Sequence, residues 1–257
     1  MSTPRHRIVS LKSTGSTNKD ALRLALAGEA LPLWVSAEQQ TDGRGRSGRT
    51  WASEPGNLQA SLAVVCHAPQ SQAGELALIA GIALFDAVRS ISPLAGHLPL
   101  RLKWPNDLLF GTAKTGGILV ESTTARGEPG FLAVIGFGLN VASHPEIDGR
   151  SVTSLAYQGV ESSAEHVLSY LSEAMETWLD VWDHGLRFAS DIVPAWRERS
   201  GAEGERIAVT TSDGRVDGIY RGIDARGYLL VETSDGVVAT ITHGDVALVS
   251  AAEGSRG

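Results

Sequence analysis

The sequence has a single cysteine, Cys66, in 257 residues. One cysteine cannot close an internal disulfide, so a reducing compartment fits the chain. Cys66 ends the apolar run "SLAVVC" and reads as a small buried strand residue rather than a nucleophile. No stretch approaches the ~20 apolar residues of a membrane span. The leading "MSTPRHRIVSLKSTG" has no apolar h-region, so no secretory signal is readable. Net positive charge is also missing. The formal charge is -7 and the pI about 5.5, which argues against general binding to nucleic acid or membrane surfaces. The roughly 15 residues ahead of the first predicted helix are too few for a helix-turn-helix module. Together these absences predict a soluble, cytoplasmic protein with no specific DNA binding and no membrane association.

What is present is ample apolar material, 42% of residues, enough for one large domain or for one of about 200 residues with a small appendage. "STNKDALRLALAGEA" reads as a capped helix. "LWVSAE" and "NLQASLAVVC" read as strands, and "GELALIAGIALFDAVRSI" as a buried helix. In "LPLRLKW", Leu98, Leu100, Leu102 and Trp104 alternate with Arg101 and Lys103, the pattern of a half-buried strand that Pro105 stops. "GGILVES" and "FLAVIGFGLNV" follow as strands. "AEHVLSYLSEAMETWLDVWDHGL" is a long amphipathic helix, and "FASDIVPAWRERS" a further one. From Ile207 onward the runs "IAVTT", "VDGIYRGI", "YLLVET", "VVATI" and "DVALV" predict a small five-stranded barrel. The expected division is residues 1–202, a barrel at 203–250, and a disordered tail at 251–257.

Against its acidic background the chain concentrates positive charge in "TDGRGRSGRTW", where Arg44, Arg46 and Arg49 alternate with glycine. The stretch matches the G-x-G-x-x-G dinucleotide pattern, but Pro55 and Gly56 forbid the helix that pattern needs directly afterwards. "AKTGG" lacks the glycine a Walker A lysine requires. One "RGR" in an acidic chain is a poor RNA-binding segment. Arginine grips phosphate and carboxylate with two parallel hydrogen bonds, and glycine lets backbone move and approach closely. The combination suits a loop that is mobile when empty and closes over an anion. A solvated surface loop is the plainer alternative, as a turn is for Asn106-Asp107.

"STN", "GRGRSGRTW", "KWPNDL", "KTGGILVE" and "GFGLN" occur in that order, and the series resembles that of the biotin protein ligases, over roughly residues 10 to 250. The resemblance implies an α+β catalytic domain around a mixed sheet, related to class II aminoacyl-tRNA synthetases, with a C-terminal SH3-like barrel. It implies ATP-dependent conversion of biotin to biotinyl-5′-AMP, with Mg²⁺, and transfer of biotin to a lysine of a biotin carboxyl carrier domain of an acyl-CoA or pyruvate carboxylase. A carboxylate must approach the α-phosphate of ATP, and both are anionic, which accounts for the local arginines. By the family pattern Arg44, Gly45 and Arg46 hold biotin and the phosphate region, Arg49 assists, and Trp51 packs on the ligand. Lys114 bridges carboxylate and phosphate oxygens. Ser16, Thr17, Asn18 and Gln40 surround the ureido ring, whose carbonyl and N–H groups suit hydroxyl and amide partners. Gly116 and Gly117 allow close backbone approach. Lys103, Asn106 and Asn140 contact the nucleotide.

The transfer step has a protonation problem. An ordinary lysine, with pKa about 10.4, is neutral at pH 7 only to about one part in a few thousand. Asp107 is the candidate base, with a Mg²⁺ role equally open. Lys114, Arg46, Asp107 and Lys103 form the expected catalytic set; no metal ligands are assigned. Asp42 stands where the family pattern has a small residue. A lipoate-protein ligase of the same fold, a non-catalytic biotin sensor and a DNA-binding corepressor remain as alternatives, and a free sheet edge leaves a homodimer open.

Overall fold

The computed structural model describes residues 7–91, 99–125, 127 and 129–249; Leu98 and the expected tail at 251–257 lie outside them. The first sheet is built from β1 (Arg7–Thr14), β2 (Leu33–Gln40), β3 (Leu58–Cys66), β4 (Leu100–Lys103), β5 (Asp107–Phe110), β6 (Ala113–Thr124) and β7 (Phe131–Leu139). Its order is β1-β2-β3-β7-β6-β5-β4. β1 and β2 run parallel, and every other neighbouring pair is antiparallel. The sheet is therefore mixed, as expected.

Helix α2 (Glu75–Ser90) is apolar nearly all round because it lies between the sheet and α3 (Ala164–Trp182). Leu76, Ile79, Ile82 and Leu84 of α2 are fully buried, and Phe137 of β7 meets Trp34 of β2 with ring centroids 5.6 Å apart. Helix α1 (Thr17–Leu26) covers part of the opposite face, where Ala21 packs with Val35, Ala63 and Val134. Ser16 occupies the capping position of α1, but its side chain makes no cap bond. The Thr17 N–H is satisfied instead by Gln40 Oε1 at 2.8 Å, a long-range partner that sequence cannot show. Ser163 does cap α3, accepting from the His166 N–H. The segment expected to be one helix at "FASDIVPAWRERS" opens with a π-helical turn at Phe188–Ile192, and α4 follows over Val193–Arg199. Pro194 sits in its first turn, where a missing N–H costs little.

The C-terminal part is the five-stranded SH3-like barrel, with β8 (Arg206–Thr211), β9 (Gly214–Ile223), β10 (Leu229–Glu232), β11 (Val238–Ile241) and β12 (Asp245–Leu248) in the order β11-β10-β9-β8-β12. It shares its apolar core with the first sheet: Ile207, Tyr220, Ile223 and Leu229 join the cluster that holds Trp104, Trp196 and α2. Polar contacts fix the seat. Trp104 Nε1 donates to Gly227 O at 3.0 Å, Arg101 pairs with Glu205, and Arg197 donates to Ile223 O. Cys66 is buried in β3, and burial pushes its thiol up to about 12, as expected of a core residue. No helix among the described residues is long and apolar enough to cross a membrane.

Candidate active site

One cavity gathers nearly all the residues singled out from sequence. Ser16, Thr17, Asn18, Gln40, Arg44, Gly45, Arg46, Arg49 and Trp51 line it, as do Lys103, Asn106, Asp107, Lys114, Gly117 and Asn140. Gly116 does not. A Cβ there would lie 3.0 Å from Leu139 and 3.3 Å from Leu84, so it faces the α2 side of the sheet; Gly117, the next residue, faces the cavity with Trp51 and Lys114.

The arginine loop is a folded hairpin. Trp51 N donates to Gly43 O at 2.9 Å and Gly45 N to Arg49 O at 2.7 Å, with Ser47 and Gly48 at positive φ at the tip. A Cβ on Gly43 would stand 2.6 Å from Trp51 O, so glycine is required for this pairing. No α-helix follows the loop. Each arginine has a partner. Arg44 Nη2 is 3.2 Å from Asp42 Oδ2. Arg46 donates to Asn106 Oδ1 at 3.0 Å and to Gly244 O at 3.2 Å, and Arg49 is ion-paired with Asp245.

The β4–β5 hairpin and the start of β6 bring two lysines onto one carboxylate. Lys103 Nζ is 2.8 Å from Asp107 Oδ2, and Lys114 Nζ is 2.5 Å from Oδ1. Burial pushes the Asp107 carboxyl up, but the Lys114 and Lys103 ammoniums outweigh it and hold the group below the usual carboxylate range. Lys103 also donates to Val246 O at 3.0 Å. Lys114 Nζ lies 5.8 Å from the centre of the Trp51 ring, within cation–π range. Asn140 is buried and its amide donates to Thr153 O at 3.0 Å, so it braces the 151–155 segment while lining the cavity.

The other end of the cavity is uncharged and strand-fixed. Gln40 Oε1 is 3.0 Å from Thr17 Oγ1; Ser61 Oγ is 2.7 Å from Thr17 Oγ1 and 2.6 Å from Asn18 Oδ1. Asn18 Nδ2 donates to Glu121 at 2.7 Å. They form one chain of hydrogen bonds at the mouth of α1, from Gln40 through Thr17, Ser61 and Asn18 to Glu121.

Sequence reasoning missed several contributors. Ser61 and Glu121 support Asn18 from β3 and β6. Asp245 and Val246 enter the cavity from the barrel. In "GFGLN", Gly136 and Gly138 stand at alternate strand positions on the cavity face. A Cβ on Gly136 would overlap Asn18 Oδ1, and one on Gly138 would overlap the Trp51 ring. Phe137 between them points to the core. Paired glycines at spacing two inside an apolar strand were the available signal for close approach. The Trp51 indole N–H is buried without a hydrogen-bond partner, a donor that costs roughly 1–3 kcal/mol to leave unpaired.

Among the described residues no three His, Cys, Asp or Glu side chains gather to hold a metal. Asp107, the one candidate, is already engaged by two ammoniums. The donor set does not fit a protein-held Mg²⁺, which takes carboxylates together with substrate phosphates.

Comparison with known proteins gives a consistent family. The profile of the Biotin/lipoate A/B protein ligase family matches residues 9–140, and that of the Biotin protein ligase C terminal domain matches residues 204–249. The chain is 35% identical over 231 residues to a biotin--[acetyl-CoA-carboxylase] ligase of Paracoccus denitrificans, covering 86% of this chain and 92% of that protein. It is 36% identical over 241 residues to a ligase of the same name from Mycobacterium tuberculosis, covering 91% and 85%. A solved biotin protein ligase from Aquifex aeolicus, in complex with biotin and ATP, superposes with a TM-score of 0.76 at 24% identity, over 95% of this chain and 98% of that one, a likeness of fold.

Proposed function

We infer the reaction from a premise the family match supplies: the chain belongs to the Biotin/lipoate A/B protein ligase family. It is a biotin protein ligase, an enzyme that uses ATP to attach biotin to protein. The observation that carries this reading is the polarity of the cavity: neutral hydroxyls and amides at one end, and six cationic side chains in the rest of the lining, Arg44, Arg46, Arg49, Lys103, Lys114 and Arg150. A ureido ring with donors and an acceptor suits the first end; a carboxylate meeting a triphosphate suits the second.

In the first step a biotin carboxylate oxygen forms a bond to the α-phosphorus and pyrophosphate leaves with the broken bond's electron pair. Arg44, Arg46, Arg49, Lys103 and Lys114 stabilise the charge that develops there. Trp51 covers the ligand and offers its unpaired N–H. In the second step a neutral lysine nitrogen of a carrier domain bonds to the acyl carbon, and AMP leaves. Asp107 takes the lysine proton. In the free chain two ammoniums suppress its basicity; once Lys114 moves to ligand oxygens, only Lys103 opposes protonation. The acceptor is a biotin carboxyl carrier domain, and Mg²⁺, for which the described residues offer no donor set of their own, would come in with the nucleotide. We place the boundary between catalytic part and barrel at 202/203, supported by the second sheet beginning at Arg206.

The test is pyrophosphate release with ATP and Mg²⁺, with biotin and separately with lipoate. Biotin-dependent release is expected. Release with lipoate alone would assign the chain to the lipoate branch. Silence with both, despite biotin binding in calorimetry, would leave a sensor.

A further inference from the structure

Of the six cations that line the cavity, Arg150 differs from the others. Each of the other five has a carboxylate or carbonyl partner. Arg150 is exposed, and its side chain has no partner among the described residues. It belongs to the segment 144–150, which runs out after β7 and returns beside Lys114. On the return, Lys114 N donates to Ser151 O at 2.9 Å, and Thr153 N donates to Lys114 O at 2.9 Å. Pro145 and Ile147 of the same segment also line the cavity. The departure point is held by one side chain. The β3–β7 ladder ends at Leu58 and Leu139, so the N–H groups that follow Asn140 have no strand partner. Asn57, just before β3 and 2% exposed, supplies one. Its Oδ1 accepts from three successive backbone N–H groups, those of Val141 at 2.9 Å, Ala142 at 3.0 Å and Ser143 at 3.2 Å. Its Nδ2 donates back to Ser143 O at 3.0 Å. Bonding in both directions fixes the amide one way round. Asn57 itself does not line the cavity.

On the ligase reading above, we propose that Arg150 is a further contact for the nucleotide phosphates and that Asn57 is the residue that positions it. A guanidinium offers phosphate two parallel hydrogen bonds. Arg150 is solvated by water in the free chain, so it can take a phosphate oxygen without first leaving an anion, as Arg44 and Arg49 must. An exposed arginine on a wandering segment would lose that advantage to the entropy of placing it. The segment does not wander at its stem. Asn57 fixes residues 141–143, and Leu155 N to Asn140 O and Ala156 N to Val141 O, both at 2.9 Å, close the stem across from it. Residues 144–150 therefore span between two fixed points, one on Asn57 and one on the backbone of Lys114. Arg150 stands at the second, next to the lysine assigned to the same phosphates.

The experiment titrates adenosine 5′-(α,β-methylene)triphosphate, whose pyrophosphate cannot leave, into the whole chain with biotin present, by calorimetry. Biotin affinity is measured separately without nucleotide. Arg150→Ala should weaken analogue binding about three- to tenfold at low salt, as one exposed charge-assisted contact allows, and less as salt rises. Asn57→Ala should weaken it at least as much and leave biotin affinity within about twofold. Asn57→Asp, which keeps an acceptor for the three N–H groups, should fall between wild type and Asn57→Ala. Added to Asn57→Ala, Arg150→Ala should cost less than about a further twofold, because a guanidinium no longer held in place has little left to lose. Unchanged analogue binding in Arg150→Ala would overturn the contact, and that change, at an exposed side chain, does not put folding at stake. Full additivity of the two changes, or equal loss of biotin and analogue affinity in Asn57→Ala, would overturn the positioning role. A wild-type chain that binds the analogue but releases no pyrophosphate from ATP with biotin would refute the ligase and keep the contact.

Discussion

The two ends of the cavity are built on opposite plans. At the neutral end, Thr17, Asn18, Gln40 and Ser61 come from one helix and two strands of a single sheet, and they hydrogen-bond to one another. Thr17, Asn18 and Ser61 are buried. At the charged end the cations come from a loop, a hairpin and the start of β6, and the barrel supplies some of their partners. There the five cations expected from the sequence each have a carboxylate or carbonyl partner: Asp42 for Arg44, Asp107 for Lys103 and Lys114, Asp245 for Arg49, Gly244 O for Arg46. The difference fits the ligands proposed for the two ends. A neutral ring is recognised by donors and acceptors fixed beforehand. Anions that enter, react and leave need cations that are balanced while the site is empty and can be surrendered to the ligand.

The sharpest break of the charged end is Lys114→Ala. Removing one preorganised cation from a developing negative charge costs about 10²–10³ in rate. Biotin-dependent pyrophosphate release should fall by at least that, while thermal unfolding stays cooperative, since Lys103 still compensates Asp107. Wild-type release in the variant would remove Lys114 from the first step.

Next in size is Asp107→Asn, which leaves two ammoniums facing each other at a largely buried position. Breaking a buried pair from one side costs about 3 kcal/mol. The pH dependence identifies the cause. Asp107 has a folded pKa below its ordinary 3.8, so its contribution is fully present above about pH 4. It is lost as pH falls from there through the folded value. Urea unfolding of the wild type should therefore weaken on acidification over that range, and the variant should show a flatter profile. Parallel profiles would mean that the carboxylate is not the group being titrated.

The neutral end is broken with less loss by Gly136→Ala. The new methyl would overlap Asn18 Oδ1, displacing an amide that also holds Ser61 and Glu121. Losing one or two such hydrogen bonds, at about 1 kcal/mol each, predicts roughly tenfold weaker biotin binding by calorimetry with nucleotide affinity little changed. Equal loss of both affinities would show that the two ends are not separable.

The contrast also explains what could be read from the chain before its structure. The loop arginines, Lys103, Lys114 and the "STN" residues declared themselves because motif and chemistry agree locally. The alternation of "LPLRLKW" and the five short runs after Ile207 gave strands of the right kind. What stayed hidden was pairing over distance. Arg46 meets Gly244 across 198 positions and Arg49 meets Asp245 across 196, and nothing local marks Asp245 as part of the site. Ser61 is a lone polar residue in the apolar run "SLAVVC", with nothing local to set it apart. Gly116 and Gly117 looked equivalent, but adjacent strand residues face opposite sides, so only one reaches the cavity.

The smallest expected effect tests whether the counter-charges are there to be surrendered. Asp245 and Arg49 are both partly exposed, at 46% and 39% of their side chains, and such a pair contributes about 1 kcal/mol or less. Asp245→Asn should therefore hardly move the unfolding midpoint, because the barrel's seat rests on Trp104, Trp196, Tyr220 and the Arg101–Glu205 pair. It should change how ATP binding responds to salt. With the carboxylate gone, Arg49 meets phosphate without first leaving an anion, so ATP binding at low salt should tighten by a few fold, and the gain should shrink as salt screens the site. Weaker ATP binding at every salt concentration would assign Asp245 the opposite task, that of holding Arg49 in the geometry phosphate requires.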